Sequence, residues 1–213
     1  MLALFGVLRG VSGNIHVDGV PVRLSGPIEA KSAGSGMALI PEDRKTEGLM
    51  LPMSVRDNLG MASLWKLAKG FVIDRDREAE EIDRMVKTLQ IKVGSLDNPV
   101  WTLSGGNQQK VVIAKWLMTG ARVILLNDPT RGIDVGTKQE IYVLLRRLAD
   151  SGAAILLFST DYNELIGCCE RVVILYDGQV RAELEGDAIT DRAIVAASLN
   201  LSLDAVDQKG ALQ

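Results

Sequence analysis

The chain has 213 residues, 47% of them hydrophobic and 24% charged, with a formal net charge of −3. That length suits one sizeable domain or one domain with an inserted lobe, and the charge offers no general attraction to nucleic acid or anionic lipid. No apolar run approaches the roughly 20 residues of a membrane helix, "MLALFGVLRG" is too short and too poorly flanked for a secretory signal, and the adjacent Cys168 and Cys169 make neither a disulfide framework nor a metal-ligand spacing.

In chain order, residues 1–9 read as the end of a helix with Leu2, Phe5 and Leu8 on one side, uncapped and with no preceding strand. That start is expected of a truncated domain. "GNIHVDGVPVRL" (13–24) alternates around Asp18-Gly19, a two-residue hairpin signal. "SGPIEAKSAG" predicts a short helix capped by Ser25 with Pro27 in its first turn, and "MALI" (37–40) a short buried strand. Residues 54–119 read as helical throughout. Ser54 caps "VRDNLGMASLW", with Asp57 completing an approximate capping box, and Ile82, Met85, Val86 and Leu89 form one face of a helix over 74–90.

Beyond residue 120, strand and helix alternate. A strand at 122–127 leads to a helix near 137–150 with Ile141, Leu144, Leu145 and Leu148 on one face, and a strand at 153–159 to a short helix near 161–167. "RVVILYDGQVRAEL" (171–184) is a second hairpin, turning at Asp177-Gly178. The predicted architecture is α/β: a parallel sheet with helices against it, interrupted by an all-helical insertion of about 65 residues between the strand near 40 and the one near 123. The domain extends over 1–200, with the helical lobe at about 54–119 and a loose tail at 201–213.

"LSGGNQQK", Leu103 to Lys110, is the most specific feature. Ser104 is suited to cap a helix running through "VVIAKWLM", and Gly105 and Gly106, lacking Cβ atoms, let the backbone approach a phosphate. Free first-turn amides and the helix dipole favour an anion there. The bland alternative is a capped helix start with incidental glycines. "VILLNDPTRGID" (123–134) follows as an apolar strand delivering Asn127 and Asp128 at its end, then Pro-Thr and Gly-Ile-Asp.

Taken together, this order of motifs resembles the nucleotide-binding domains of ABC transporters. Leu-Ser-Gly-Gly-x-Gln is that family's signature motif, the strand is its Walker B, "RGID" with "VG" looks like its D-loop, and "FSTDY" falls where its switch histidine lies. "IPEDRKTEGL" (40–49) and the Asn-Gln-Gln-Lys ending of the signature are similar to the C-terminal ATP-binding domain of bacterial simple-sugar importers of the ribose, galactose and xylose type. The resemblance runs from residue 4 to about 200. It implies a P-loop NTPase-like fold, ATP with Mg²⁺ as ligands, and a second nucleotide-binding domain as partner. It also implies membrane permease subunits, a sugar-binding protein acting through them, and a place on the cytoplasmic face of the membrane. Ser104, Gly105, Gly106, Asn107 and Gln108 would face the triphosphate held on the opposing domain, Asp134 would span the interface, and the loop from Glu42 to Asn58 would meet the permease.

The departures from that pattern concern the chain's own nucleotide. A Walker A loop needs Gly-x-x-x-x-Gly-Lys-Ser/Thr, and none of the 21 glycines is followed by lysine. The chain alone is therefore not expected to hold ATP tightly, ATP and Mg²⁺ being held mainly by the partner. Asn127 sits at the Walker B aspartate and brings a carbonyl oxygen but no charge to Mg²⁺. Asp128 sits at the catalytic glutamate and is shorter by roughly 1.5 Å, and misplacement by about 1 Å can cost around a hundredfold. A one-residue slip would make Asp128 the metal ligand; Pro129-Thr130 argues against it, since Pro-Thr normally follows the glutamate. Thr160 occupies the switch-histidine position without an imidazole, and Glu42 takes the Q-loop glutamine position. The signature, which serves the other domain, survives while the chain's own set decays.

The remaining candidates read as structural. His16 lies in a hairpin strand without a second ligand near it in sequence, and the cysteines lack an activating motif. The charges at 74–87 are a solvated helix face. Trp65, Trp101 and Trp116 fit either a permease-facing lobe or a core, and "GIDVG" belongs to a loop despite its GxxxG spacing. An interaction-only fragment that binds no nucleotide is the alternative reading. A soluble ABC ATPase of DNA repair or the ribosome fits less well, because the chain has neither a long coiled-coil insertion nor basic patches.

Overall fold

The computed structural model describes residues 1–32 and 36–201, so the tail expected at 201–213 falls, but for its first residue, outside the described residues. The chain divides into two compact units, Met1–Phe158 and Ser159–Gln213.

In the first unit, residues 2–6 make turns rather than the expected helix, with Phe5 N–H donating to Met1 O (3.0 Å) and Val7 N–H to Leu2 O (2.9 Å). Gly6 ends the segment at φ +74°, and a Cβ there would stand 2.7 Å from the backbone of Gly26. That close approach and the left-handed backbone break the periodicity that suggested a helix. The predicted hairpin follows as β1 (Ile15–Val17) and β2 (Val20–Val22). Asp18 and Gly19 both have positive φ, the twist-matching turn of a two-residue hairpin. Then come α1 (Pro27–Ser32) and β3 (Met37–Ile40), whose four residues are all buried.

The lobe is not all helical. Helix α2 (Val55–Gly60) is capped by Ser54, whose Oγ accepts from Asp57 N–H (3.0 Å) and donates to the Asp57 carboxylate (2.6 Å). The expected run to Trp65 breaks at Gly60, whose carbonyl accepts from both the amide and the hydroxyl of Ser63. Helix α3 (Leu64–Leu67) follows, then a small antiparallel ribbon, β4 (Ala68–Lys69) and β5 (Val72–Ile73), with Gly70 at φ +67° in its turn. Helix α4 (Arg75–Thr88), capped by Asp74, buries Ile82 and Met85, with Leu89 buried just past its end, as the spacing predicted. An irregular segment then leads to α5 (Gly105–Leu117), β6 (Val123–Asn127), α6 (Val135–Asp150) and β7 (Ala154–Phe158).

Strands β3, β6 and β7 form a parallel sheet in that order, with Ile40 beside Leu126 and Asn127 beside Phe158. Its residues alternate between two cores. Ala38, Ile40, Ile124 and Leu126 pack with α2, α4, α5 and α6 through Leu59, Ile82, Val112, Ile113 and Ile141. Met37, Leu39 and Leu125 pack on the other side with Phe5, Val17 and Ala30. Burial on both faces explains why β3 and the centre of β6 are unbroken apolar runs. Trp116 is partly buried against both cores and edge-on to Phe5 at 5.6 Å, while Trp65 and Trp101 are exposed.

The second unit holds α7 (Tyr162–Cys168), the hairpin β8 (Arg171–Tyr176) and β9 (Gln179–Glu185), and α8 (Asp191–Ser198), a helix not expected from the sequence pattern. Val172, Ile174, Ile189 and Ile194 form its core, with Cys169 packed against it. Asp177 and Gly178 turn the hairpin with positive φ, as at the first one. His16 is an exposed strand residue.

Ile82 is fully buried where the lobe helices meet the sheet. Ile82→Ala is expected to lower unfolding free energy by about 2–5 kcal/mol, read as a lower urea midpoint at unchanged m-value.

Candidate functional site

Parallel pairing puts the C-terminal ends of β3 and β6 on one edge, where open α/β sheets generally place ligands. Pro41-Glu42 leaves one strand and Asn127-Asp128 the other.

Asn127 is half-buried and Asp128 is 4% exposed. Asp128 has φ +45°, and its N–H donates to Phe158 O (2.8 Å). Asp and Asn are the non-glycine residues that accept this left-handed backbone most readily; a longer side chain such as glutamate would face strain of about 1–2 kcal/mol there. The turn continues with Arg131 N–H to Asp128 O (3.3 Å) and ends at Asp134. Asp134 caps α6, accepting from the Thr137 amide (3.0 Å) and hydroxyl (2.9 Å). Those Thr137 hydrogen bonds hold its carboxyl below the ordinary carboxylate range.

Glu42 forms an ion pair with Arg131 across the two strand ends. Its carboxylate therefore does not add bare negative charge at this edge, a neutralisation that its sequence position did not reveal. Mg²⁺ prefers several oxygen ligands in tight octahedral geometry. Here Asn127 is neutral, Asp128 is buried, Glu42 is engaged by arginine, and no group of three or more His, Cys, Asp or Glu among the described residues could hold a metal. The residues present do not fit a magnesium site. Thr160 belongs to the second unit, where it is exposed and directly precedes Asp161, the cap of α7.

The signature turn is fully formed. Ser104 Oγ caps α5, accepting from the Asn107 amide (3.4 Å) and side-chain amide (2.9 Å), while Asn107 Oδ1 accepts from Lys92 N–H (2.8 Å). Ser104 is exposed. Gln108 is instead 5% exposed and turned inward, its Nε2 donating to Leu103 O (3.1 Å) and, at longer range, to Val100 and Trp101 carbonyls. It shapes the turn from within.

The two glycines meet different neighbours. A Cβ on Gly106 would lie 2.5–3.0 Å from the Thr137 side chain in the first turn of α6, whereas one on Gly105 would meet the Arg44 guanidinium at 2.7 Å. Further along α5, buried Lys110 donates to Glu140 (2.6 Å) and to Gln90 O (3.2 Å), lowering the Glu140 carboxyl's affinity for protons. Lys115, 7% exposed, donates to Gly48 O, and burial pulls its pKa down to about 8.

Two outcomes follow from these contacts. Gly106→Ala must push against a β-branched threonine held by Asp134 and is expected to cost about 1–3 kcal/mol, while Gly105→Ala displaces only a side-chain end and costs less; urea midpoints separate them. For Lys115 the unfolded amine, near 10.5, binds a proton that the folded one releases near 8. Its contribution to stability therefore rises from pH 8 to 10.5 and is lost as pH falls through 8. Lys115→Met is expected to flatten that slope in denaturant titrations at pH 7.5, 9 and 10.

Comparison with known proteins places these features. Residues 1–131 match the family described as ABC transporter. The chain is 65% identical over 201 residues to the ribose import ATP-binding protein RbsA 1 of Mesorhizobium japonicum, covering 94% of this chain and 39% of that protein. It is 44% identical over 197 residues to its counterpart in Streptomyces coelicolor, covering 92% and 38%. The chain thus spans about two-fifths of the length of the curated relatives it matches. Among solved structures, an ATP-binding cassette of an ABC transporter superposes with a TM-score of 0.77 at 18% identity, covering 93% of this chain and 80% of that one. A dimeric cassette in a post-hydrolysis state with ADP and Pi gives 0.69 at 20%, covering 86% and 78%. The mixed fold with its parallel sheet is that of ABC ATPases, and the chain belongs to the ABC transporter family, with ribose-import ATP-binding proteins among its relatives.

Proposed function

We propose that the chain works as part of the ATP-binding component of a bacterial importer for a simple sugar, ribose being the sugar named for its relatives. Its role is to present the signature turn to ATP held with Mg²⁺ on a second nucleotide-binding domain. Its own nucleotide positions are degenerate. The carrying observation is a contrast within one unit. The signature turn stands capped and exposed at Ser104, while the positions for its own nucleotide offer an amide at Asn127, a buried Asp128 and a Glu42 tied to Arg131.

Ser104 accepts from both Asn107 nitrogens and is exposed, so its hydroxyl proton can be given to an outside acceptor. The first-turn amides of α5, a 13-residue helix, add the positive end of its dipole. Together they suit the terminal phosphate of a triphosphate presented by the partner. Gln108 supports this turn from inside, and Asp134 sets the angle at which α6 enters. Attack of water on that phosphate is assigned to the partner's own acid and metal.

The permease face is assigned to the segment from Glu42 to Asn58, where Met50 and Met53 are exposed with Trp101 beside Leu51. Asn58 organises this segment, its Nδ2 donating to the Met50 and Ser54 carbonyls (3.0 Å each) and its Oδ1 accepting from Met50 N–H (2.8 Å). Exposed methionine and tryptophan are suited to an adaptable apolar docking surface. The assembly so described sits at the cytoplasmic face of the membrane; among the described residues no helix is long and apolar enough to cross it.

The chain purified alone is expected to show no Mg²⁺-dependent ATPase above background, and robust turnover would overturn the degenerate-site assignment. In the assembled transporter, Ser104→Arg is expected to cut ATP hydrolysis roughly tenfold or more, whereas Asp128→Asn changes it by less than about twofold. Equal damage by the two substitutions would overturn the asymmetry, and no effect of Ser104→Arg would favour an interaction-only chain.

A further inference from the structure

The segment "EDRKTEGL" (42–49) leaves β3 and is pinned to α5 at successive levels. At the first residue of the helix, the Arg44 guanidinium lies against Gly105, close enough that a Cβ there would stand 2.7 Å from Nη2. Seven residues on, a Cβ on Gly48 would touch Val112 at 3.0 Å, and at Lys115 the buried amine donates to the Gly48 carbonyl. At 1.5 Å rise per residue these points span about 15 Å of helix. Arg44 Nη1 also donates to the Arg131 carbonyl (3.2 Å), in the turn that follows β6.

The placing of Arg44 is unfavourable by local rules. A guanidinium beside a helix N-terminus meets the positive end of the dipole, and Arg44 Nε is buried without a hydrogen-bond partner. The arrangement persists because Gly105 leaves room for a flat cation and the Arg131 carbonyl anchors it. From the segment after β3, the Arg44 side chain reaches both the signature turn and the turn after β6.

We propose that Arg44 is a positioning residue that locks the signature turn to the segment 42–48, so that displacement of that segment is carried to Ser104 rather than absorbed in the loop. It acts through the turn and not on the nucleotide. Its functional consequence rests on the reading of the chain as a transporter ATPase component; its structural core does not.

Two measurements test it. On this chain, hydrogen exchange of the amides of 107–109 and of 43–48 is expected to rise about tenfold in Arg44→Met. Arg44→Lys, which keeps the charge but loses the flat fork, is expected to fall between the two. Exchange in α4 and in the second unit should stay as in the parent, which separates local release from unfolding. Arg131→Met removes the partner of Glu42 but keeps the backbone carbonyl that Arg44 uses, so residues 107–109 should be unaffected. Unchanged exchange at 107–109 in Arg44→Met would overturn the proposal.

In the assembled transporter, Arg44→Met is expected to lower kcat for ATP hydrolysis about tenfold, in line with the cost of misplacing a group by a fraction of an ångström, with KM for ATP within about twofold. A raised KM at unchanged kcat would place Arg44 in nucleotide binding and overturn the positioning role, as would unchanged kinetics. A parent assembly with no ATPase would defeat the transporter reading instead, and the exchange result would then decide the proposal alone.

Discussion

The parallel pairing of β3 with β6 sets the geometry of the first unit. Hydrogen-bond register places Ile40 beside Leu126, so both strands release their chains at one edge within a residue of each other. A parallel strand pair cannot be closed by a hairpin; it needs a long crossover, and the lobe from α2 to α5 supplies it. The chain therefore returns to β6 through α5, whose N-terminal turn comes back to the edge that the segment after β3 has just left. Arg44, Gly105 and Arg131 meet for that reason, although 61 and 87 residues separate Arg44 from its two neighbours.

The carboxylates of Glu42 and Asp134 are both engaged inside the chain. Glu42 faces Arg131, Asp134 is spent on Thr137, and Lys110 is matched by Glu140. A site that handles a triphosphate with its metal needs charges held in reserve for the ligand. In the proposed reading Ser104 and the N-terminal end of α5 meet that need for an anion, while among the described residues no group of three or more His, Cys, Asp or Glu could hold a cation. Asp128, in a left-handed backbone that suits an aspartate, is buried just past the end of β6. Asn127 beside it carries no charge.

Local chemistry made much of this legible from sequence. Asp18-Gly19 and Asp177-Gly178 announced their hairpins because few dipeptides accept two successive positive φ values. "MALI" announced a short buried strand, and the spacing of Ile82, Met85 and Leu89 a lobe helix. The failures were tertiary. Residues 1–6 carry a helical spacing, but Gly6 is held in a left-handed conformation against Gly26. The ribbon at 68–73 has only two residues per strand, too short for a period to show. Gln108 sits in the motif that marks the family, yet its direction depends on carbonyls at 100–103 that wrap back over the helix start. The partners of Glu42 and Gly105 lie far along the chain, and no window of sequence contains them.

The two signature glycines show how one motif can answer two constraints. In sequence, both glycines read as serving the close approach of a phosphate. In the fold, Gly106 is required before any ligand arrives, because the first turn of α6 occupies the space of its side chain. Gly105 leaves its space to Arg44, a side chain that can move. The first contact fixes α5 against α6 and so fixes where the turn points. The second is made by a side chain from the segment 42–48, and it connects the turn to that segment. Contacts on adjacent residues thus tie the capped helix start to α6 on one side and, through Arg44, to the segment 42–48 on the other.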